Sequence, residues 1–352
     1  MARAGSTREA ILDLIGTAGG ISGPELAEQL GITRQAVNQH LRDMIASGKV
    51  IKTGSTRAAR YHPPGAVPDM RSMASELPLA GLDESRVYEQ VALRLNLSTL
   101  PDNVEAIVNY AFTEMLNNAI DHSESVHCRI RVEADASAVR FELRDTGIGV
   151  FHSIAEKLEL ENEESALIDL AKGKTTTMPE AHSGEGIFFV SRAADRLHLR
   201  SHRLEIEWDN RRNDVFVSDC RFMAGTLVRF ECSRHARTRL ENVFEAFAPA
   251  DYDYRFEKTR VAVKLLRRDY VSRSEAKRLL HNLDRFSEIE LDLRDVRKVG
   301  QGFADEVFRV FATRHPSIRI RASNASRAVL AMTEHVRAAD SAVSRASVDP
   351  SL

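Results

Sequence analysis

The sequence predicts a multidomain α+β chain, and three observations carry that expectation. Hydrophobic periodicity changes character twice along the 352 residues, from short helices to mixed helix and strand and then to strictly alternating units. A proline-rich break, Pro63-Pro64-Gly65 with Pro68, separates the first block from the second. Between Glu114 and Thr226 four short acid, amide and glycine motifs follow one another in order. The length fits two or three domains, and an apolar content of 43% suits chains that build packed cores.

The first block reads as helix, break, helix, tight turn, helix. Ser6 caps a helix to about Ile15, and Gly19-Gly20 ends it. Ser22-Gly-Pro-Glu25 is a capping box with proline in the first turn, and Leu26, Ala27 and Leu30 form the buried face. Gly31 turns the chain, and Thr33 caps a helix from Arg34 to about Ser47. Helix, glycine turn, helix is a helix-turn-helix pattern. Val50 to Tyr61 follows as a hairpin with Gly54 to Arg57 at its tip.

The block as a whole resembles a winged helix-turn-helix DNA-binding domain. The resemblance implies that Arg34, Gln35, Asn38, Gln39 and Arg42 face the major groove, where such side chains read base edges, and that Lys49, Lys52, Arg57 and Arg60 meet phosphates. Six basic residues against Asp43 alone between positions 33 and 60 fit double-stranded DNA as the partner. A winged helix used only for protein contacts, or a charged solvated face, is the competing interpretation.

The second block opens with a helix from Asp83 to Leu95, followed by a longer one that Pro101 starts. On the longer helix Val104, Ile107, Val108, Ala111, Met115 and Ala119 recur at helical spacing. Glu114, Asn118 and either Asp121 or His122 share the other face. The Asn118 amide oxygen can ligate Mg²⁺, and Glu114 can orient or deprotonate a water. Taken alone, this helix also fits a solvated polar stripe. Val139 to Arg144 alternates as a strand and ends at Asp145, a carboxylate able to accept from an exocyclic amine. Gly147 and Gly149 let the backbone approach a ligand closely, although Asp-Gly turns are common after strands. Ser183-Gly184-Glu185-Gly186 runs into an apolar helix from Ile187 to Ala194, a helix start suited to phosphate. The polar segment Lys172-Gly-Lys174-Thr175-Thr-Thr177 before it is read as a lid over phosphates.

With Gly225-Thr226 on a late strand, the stretch from about residue 80 to 235 resembles the ATPase domain shared by DNA gyrase, ninety-kilodalton heat-shock chaperones, histidine kinases and MutL. The resemblance implies a central α/β sandwich of the Bergerat ATP-binding type. It assigns Mg²⁺ to Asn118, the adenine amine to Asp145 with support from Thr226, and the role of base, where hydrolysis occurs, to Glu114. Gly147, Gly149, Lys172, Lys174, Thr175, Gly184 and Gly186 would complete the ATP site, with His122 as a pocket or packed histidine. Asn118-Ala-Ile-Asp-His-Ser123 and Gly184-Glu-Gly-Ile-Phe-Phe-Val190 are closest in character to anti-sigma-factor serine kinases. Glu185 stands between the lid glycines, where that family carries small or apolar residues.

The last block alternates again. Val261 to Leu265, Ile289 to Leu293 and Ile318 to Arg321 read as strands. Helices follow Ser272 with Glu275, span Phe303 to Phe311, and run from Arg327 to Val336. It resembles a STAS-like domain, through Ser272-Arg-Ser-Glu-Ala-Lys-Arg-Leu-Leu280, Leu291-Asp-Leu293 and Gly300-Gln-Gly-Phe-Ala-Asp-Glu306. In anti-anti-sigma factors of that kind a serine after the Leu-Asp-Leu strand takes phosphate. Here the loop is Val299-Gly-Gln-Gly-Phe303, without serine or threonine, which points to docking or regulation instead.

The expected boundaries are therefore 1–65 for the winged helix, 66–80 as linker, 81–236 for the ATP-binding domain, 237–257 as linker, 258–338 for the STAS-like domain and 339–352 as a tail. No stretch approaches a membrane span, no leader peptide is visible, and Cys128, Cys220 and Cys232 lack metal-ligand spacing, so a reducing cytoplasm is expected. The leading expectation is a regulator that binds DNA and Mg-ATP, with the STAS-like domain relaying the nucleotide state or docking a protein partner. The alternatives are a serine kinase acting on a partner STAS protein and a dimerising ATPase clamp. A homodimer fits the habit of winged helices to pair on half-sites.

Overall fold

In the computed structural model the chain is described over residues 4–18, 20–47, 49–53, 59–64, 71–173, 185–253, 255–265 and 269–333. Helices α1 (Ala4–Thr17), α2 (Gly23–Leu30) and α3 (Arg34–Ala46) precede an antiparallel hairpin, β1 (Ile51–Thr53) and β2 (Arg60–His62). The Ser22–Glu25 capping box forms in both directions, with the Glu25 N–H donating to Ser22 Oγ at 3.3 Å and the Ser22 N–H to Glu25 Oε2 at 2.8 Å. Ile11, Ile15, Leu26, Val37, Leu41, Met44 and Val50 close a core of their own. Ile21 and Tyr61 exchange backbone bonds of 2.8 and 3.2 Å, which stitch the loop before α2 onto the hairpin.

The central domain is a five-stranded antiparallel sheet in the order β3-β4-β5-β7-β6, with β3 (Arg71–Pro78), β4 (His127–Ala134), β5 (Ala138–Asp145), β6 (Arg196–Asp209) and β7 (Asp214–Ser233). Alternation decides its faces. Cys128, Ile130, Val132, Phe141 and Leu143 point to one side and are buried. They lie beneath α4 (Glu84–Leu95) and α5 (Asp102–His122), with Phe112 of α5 edge-on to Phe141 at 5.5 Å. The opposite side carries cross-strand ion pairs, Arg129–Glu76 at 2.9 Å and Arg229–Glu142 at 2.8 Å, as suits an antiparallel sheet with one wet face. Three further helices are α6 (Val150–Lys157), α7 (Glu163–Lys172) and α8 (Gly186–Ala193).

Both expected linkers are corrected. Arg71–Pro78, inside the segment 66–80, is the edge strand of the sheet and pairs with β4 from Arg71↔Ala134 to Pro78↔His127. Its half-exposed Met73 and Leu77 give too faint an alternation to stand out beside the prolines. Within 237–257, Leu240–Phe247 forms α9, with Leu240, Val243, Phe244 and Phe247 at helical spacing on its packed side.

The C-terminal domain holds three parallel strands in the order β12-β10-β8: β8 (Lys258–Ala262), β10 (Glu288–Asp292) and β12 (Arg319–Ser323). Parallel neighbours require crossovers. These run through α10 (Arg273–Leu280) and through α11 (Gln301–Asp305), which continues as a π-helical turn, Glu306–Phe311, into α12 (Ala312–Arg314). A short parallel pair, β9 (Asp269–Tyr270) with β11 (Lys298–Val299), lies beside them, and residues 327–333 are helical. The strand expected from Val261 to Leu265 begins earlier and ends at Ala262, where the chain tightens into a 3₁₀ turn. No helix among the described residues is long and apolar enough to cross a membrane.

Central and C-terminal domains share one apolar core. Phe256 is 2% exposed and sits 4.6 Å from Phe188, 5.1 Å from Phe189 and 5.2 Å from Phe286 between ring centroids. Beside this seam Lys172, also 2% exposed, donates to Asp169 Oδ1 at 2.8 Å and to the carbonyls of His281 (2.9 Å) and Arg278 (3.4 Å) across the boundary. Asn282 closes the cluster by donating to Asp169 Oδ2 at 2.5 Å. Removing one partner of a buried pair leaves the other charge desolvated, so Lys172→Met should destabilise the joined domains by about 3 kcal/mol. Thermal unfolding should show a lowered midpoint that is largely recovered when Asp169→Leu is added. An unchanged midpoint in the single variant would contradict this account of the boundary.

Candidate functional site

Helix α5 organises the site. Its apolar side, Val104 through Ala119, is locked into the core, which leaves Glu114, Asn118, Asp121 and His122 on a half-buried polar face. At Glu114 this face meets α8. A Cβ on Gly186 would overlap Glu114 Oε2, so any larger residue there would turn the Glu114 carboxylate away from the start of α8. Tyr110, one turn earlier, is held protonated well above its ordinary range, first by burial and then by the negative charges of Glu114 and Glu185. Glu185 therefore belongs to the same polar corner as Glu114.

One turn beyond Asn118, the end of α5 meets the loop that follows β5. The Ile148 N–H donates to the Ser123 carbonyl at 2.8 Å, and a Cβ on Gly147 would overlap that carbonyl. Asp145 is buried at the base of this loop. Its Oδ1 accepts the Gly147 N–H at 3.0 Å and the Thr226 N–H at 3.1 Å. Thr226 Oγ1 in turn accepts the Val150 N–H at 2.9 Å. Gly149 has φ of 83° where the loop bends into α6, and a Cβ on Gly225 would overlap Asp145. Burial raises the Asp145 carboxyl above its ordinary value, and the backbone donors only partly offset it. A buried, partly satisfied acid is the kind of group that gains most from an added donor.

Glu114, Asn118, Asp145, Gly147, Gly149, Gly186 and Thr226 thus lie along one connected path. It runs from the start of α8, down the polar face of α5, to the Asp145 loop and β7. Oxygen donors on α5 fit a hard cation such as Mg²⁺, with Asn118 the amide that would hold it. His122 lies at the last turn of α5, half-buried. Lys172 departs from the expectation that it meets phosphates. Its three donors are spent on Asp169 and on two carbonyls of the C-terminal domain, in a buried setting that pulls its ammonium below the ordinary lysine value. Lys174, Thr175 and Gly184 lie outside the described residues. Tyr110 was not singled out from sequence. Tyr110 could have been found, because it stands four residues before Glu114 on the same helix face.

On the N-terminal head Arg34, Gln35, Asn38, Gln39 and Arg42 are all exposed along α3, opposite the buried Val37, Leu41 and Met44. Lys49 and Lys52 are exposed as well, and Arg57 lies outside the described residues. Arg60 is exposed but shared: its guanidinium donates to the Gly20 carbonyl at 3.0 Å and lies 3.6 Å from Glu25, bracing the hairpin against α2.

The comparisons with known families agree with this layout. Residues 6–51 match the winged helix-turn-helix DNA-binding family, residues 64–208 the histidine kinase-like ATPase domain, and residues 275–330 a STAS-like domain of unknown function. No curated protein matches the chain. The chain therefore consists of a winged helix-turn-helix domain of the DNA-binding type, a histidine kinase-like ATPase domain of the nucleotide-binding type and a STAS-like domain, in that order.

Proposed function

We propose that the protein is a DNA-binding regulator whose nucleotide state, set in the central domain, is passed to the C-terminal domain. The observation that carries the reading is the placement of the two described flanks of segment 174–184. Gly173 abuts the rings of Phe256 and Phe188, and Gly186 opens the helix that holds Phe188 and Phe189. Both flanks therefore connect to the aromatic seam joining the two domains. In the pocket, Asp145 accepts the exocyclic amine of adenine and Thr226 fixes the Asp145 loop. Asn118 holds Mg²⁺, which neutralises phosphate charge when bound. Glu114 positions a water or stays a structural partner of Gly186. In the head, Arg34, Gln35, Asn38, Gln39 and Arg42 read base edges while Lys49 and Lys52 meet phosphates.

Asp145→Asn separates binding from folding. Asparagine keeps an oxygen for the Gly147 and Thr226 donors, yet it turns an amide N–H₂ toward the incoming amine. Calorimetry with a non-hydrolysable ATP analogue and Mg²⁺ should show binding to the parent chain and none to the variant. The raised carboxyl pKa means that Asp145 favours the folded state when protonated. That contribution is lost as pH rises from the unfolded value, about 3.9, through the raised one. The unliganded variant, which cannot titrate there, should therefore unfold at a higher temperature than the parent at neutral pH. The two should converge in acid.

Coupling is tested on DNA. Affinity for a mixed-sequence duplex should differ between analogue-loaded and empty protein, and the duplex should change analogue affinity by the same factor. Equal DNA affinity with the analogue demonstrably bound would remove the coupling. Arg42→Ala should weaken DNA binding and leave the calorimetry unchanged. Lys52→Ala should reduce the salt dependence by about one phosphate contact. Labelled ATP with STAS proteins as acceptors addresses the serine-kinase alternative, since transfer of label to a serine would favour it.

A further inference from the structure

A second cluster of chemistry-bearing side chains stands beside the Asp145 loop, where Gly149 meets His202. His152 comes from the first turn of α6, Glu163 opens α7, and His202 comes from an irregular point of β6. One donor atom from each falls within 4.8 Å of the other two. His202 Nδ1 is 2.7 Å and His152 Nδ1 is 3.5 Å from the same Glu163 oxygen, Oε1. The backbone makes an unusual effort to place His202. Pairing with β7 slips on both sides of it, from Ser201↔Thr226 to His202↔Met223 to Leu204↔Asp219, and its φ is +51°, rarely adopted by a residue with a side chain. Such bulges re-aim a side chain out of the regular pleat. The ring is then held on two sides: Phe222 stacks on it at 5.2 Å and 28°, and Gly149 lies against Nε2 so closely that a Cβ there would come to 3.0 Å.

We infer that His152, Glu163 and His202 form a site for a divalent transition-metal cation of the Zn²⁺ class. Two imidazoles and one carboxylate, with a fourth position left to water, are a common zinc ligand set. Ligand atoms about 2.0–2.1 Å from a tetrahedral ion stand roughly 3.3–3.5 Å from one another. The 3.5 Å pair already meets that spacing. The 2.7 Å pair has closed to hydrogen-bond length and opens by under about 1 Å to admit the ion. An outer partner is within reach: Glu156, one turn along α6, has its exposed carboxylate 3.9 Å from His152 Nε2, longer than a hydrogen bond but closed by a small side-chain rotation. A carboxylate behind a ligating histidine fixes the tautomer that leaves Nδ1 available. Imidazole nitrogens exclude Mg²⁺ and Ca²⁺, which take oxygen sets, so this site is separate from the Asn118 face and does not depend on the ATP reading. A bound ion fastens the start of α7 to the bulge of β6 and to the start of α6.

The test uses the full chain without an affinity tag, stripped by chelator and equilibrated with Zn²⁺. Atomic emission should find about one equivalent that excess Mg²⁺ does not displace, and Co²⁺ in place of Zn²⁺ should give the visible bands of a low-coordinate nitrogen–oxygen site. His152→Ala and Glu163→Gln should each lower Zn²⁺ affinity more than about 10-fold, the upper range for losing even an outer partner being about 100-fold. His152 is 49% exposed on its side chain, so its replacement leaves the fold intact and circular dichroism should confirm this. His198→Ala, in the same strand but paired with Glu205 at 3.3 Å, should retain the equivalent. No Zn²⁺ retained by the parent chain, or equal retention by the parent, His152→Ala and Glu163→Gln, would overturn the assignment.

Discussion

The ring of Phe256 is the point on which both larger domains bear. It comes from the connection between α9 and β8, yet its neighbours are Phe188 and Phe189 of the ATPase domain and Phe286 of the STAS-like domain. Burying such a ring contributes on the order of 1.5–3 kcal/mol, and each well-oriented aromatic pair adds about 0.5–1.5. Lys172 works beside it in the opposite manner. A buried ion pair adds little net stability over an apolar substitute, but its donors accept only one arrangement of the surrounding carbonyls. The seam supplies cohesion, and the lysine fixes which carbonyls of the second domain stand there. Thr259 strengthens that register by donating to the Lys172 carbonyl at 2.5 Å.

The pocket divides its electrostatics between the C-terminal end of α5 and a point about two turns before it. At the Asp145 end a single desolvated carboxylate faces backbone donors and waits for one more. At the Glu114 end Glu114, Glu185 and the protonated Tyr110 gather acid character next to the glycine that starts α8. Two carboxylates so near a helix start repel a polyanion unless a cation stands between them and it, and Asn118 follows Glu114 by one turn on the same half-buried face of α5.

What the sequence made legible was local. The Ser22–Glu25 and Ser272–Glu275 boxes, the α5 period and the Asp145 strand end are set by residues within a few positions of one another, and the structure reproduces them. The connection from Ser123 to Ile148, and that from Asp145 to Thr226, join motifs that looked independent. Their order along the chain was the only hint. Lys172 was misplaced because its acceptors, at positions 278 and 281, lie over a hundred residues away, while its immediate neighbours suggested a solvated loop. Strand β3 was hidden because an edge strand needs only a few apolar contacts. Helix α9 was overlooked although Leu240, Val243, Phe244 and Phe247 carry a readable stripe. His152, Glu163 and His202 show no ligand spacing because three separate elements supply them.

The strand order of the central sheet has a kinetic side. The head closes its core within some sixty consecutive residues, so it can fold as soon as it leaves the ribosome. Strand β3 follows directly, but its partner β4 begins about fifty residues later. The sheet stays incomplete until β7, whose Ser233 pairs with Ala138, has been synthesised. Such distant pairings must overcome loop-closure entropy before they are rewarded, which slows assembly. During that interval a finished DNA-binding head trails an unpaired strand edge, a period in which the nascent chain is most exposed to aggregation and most in need of a chaperone.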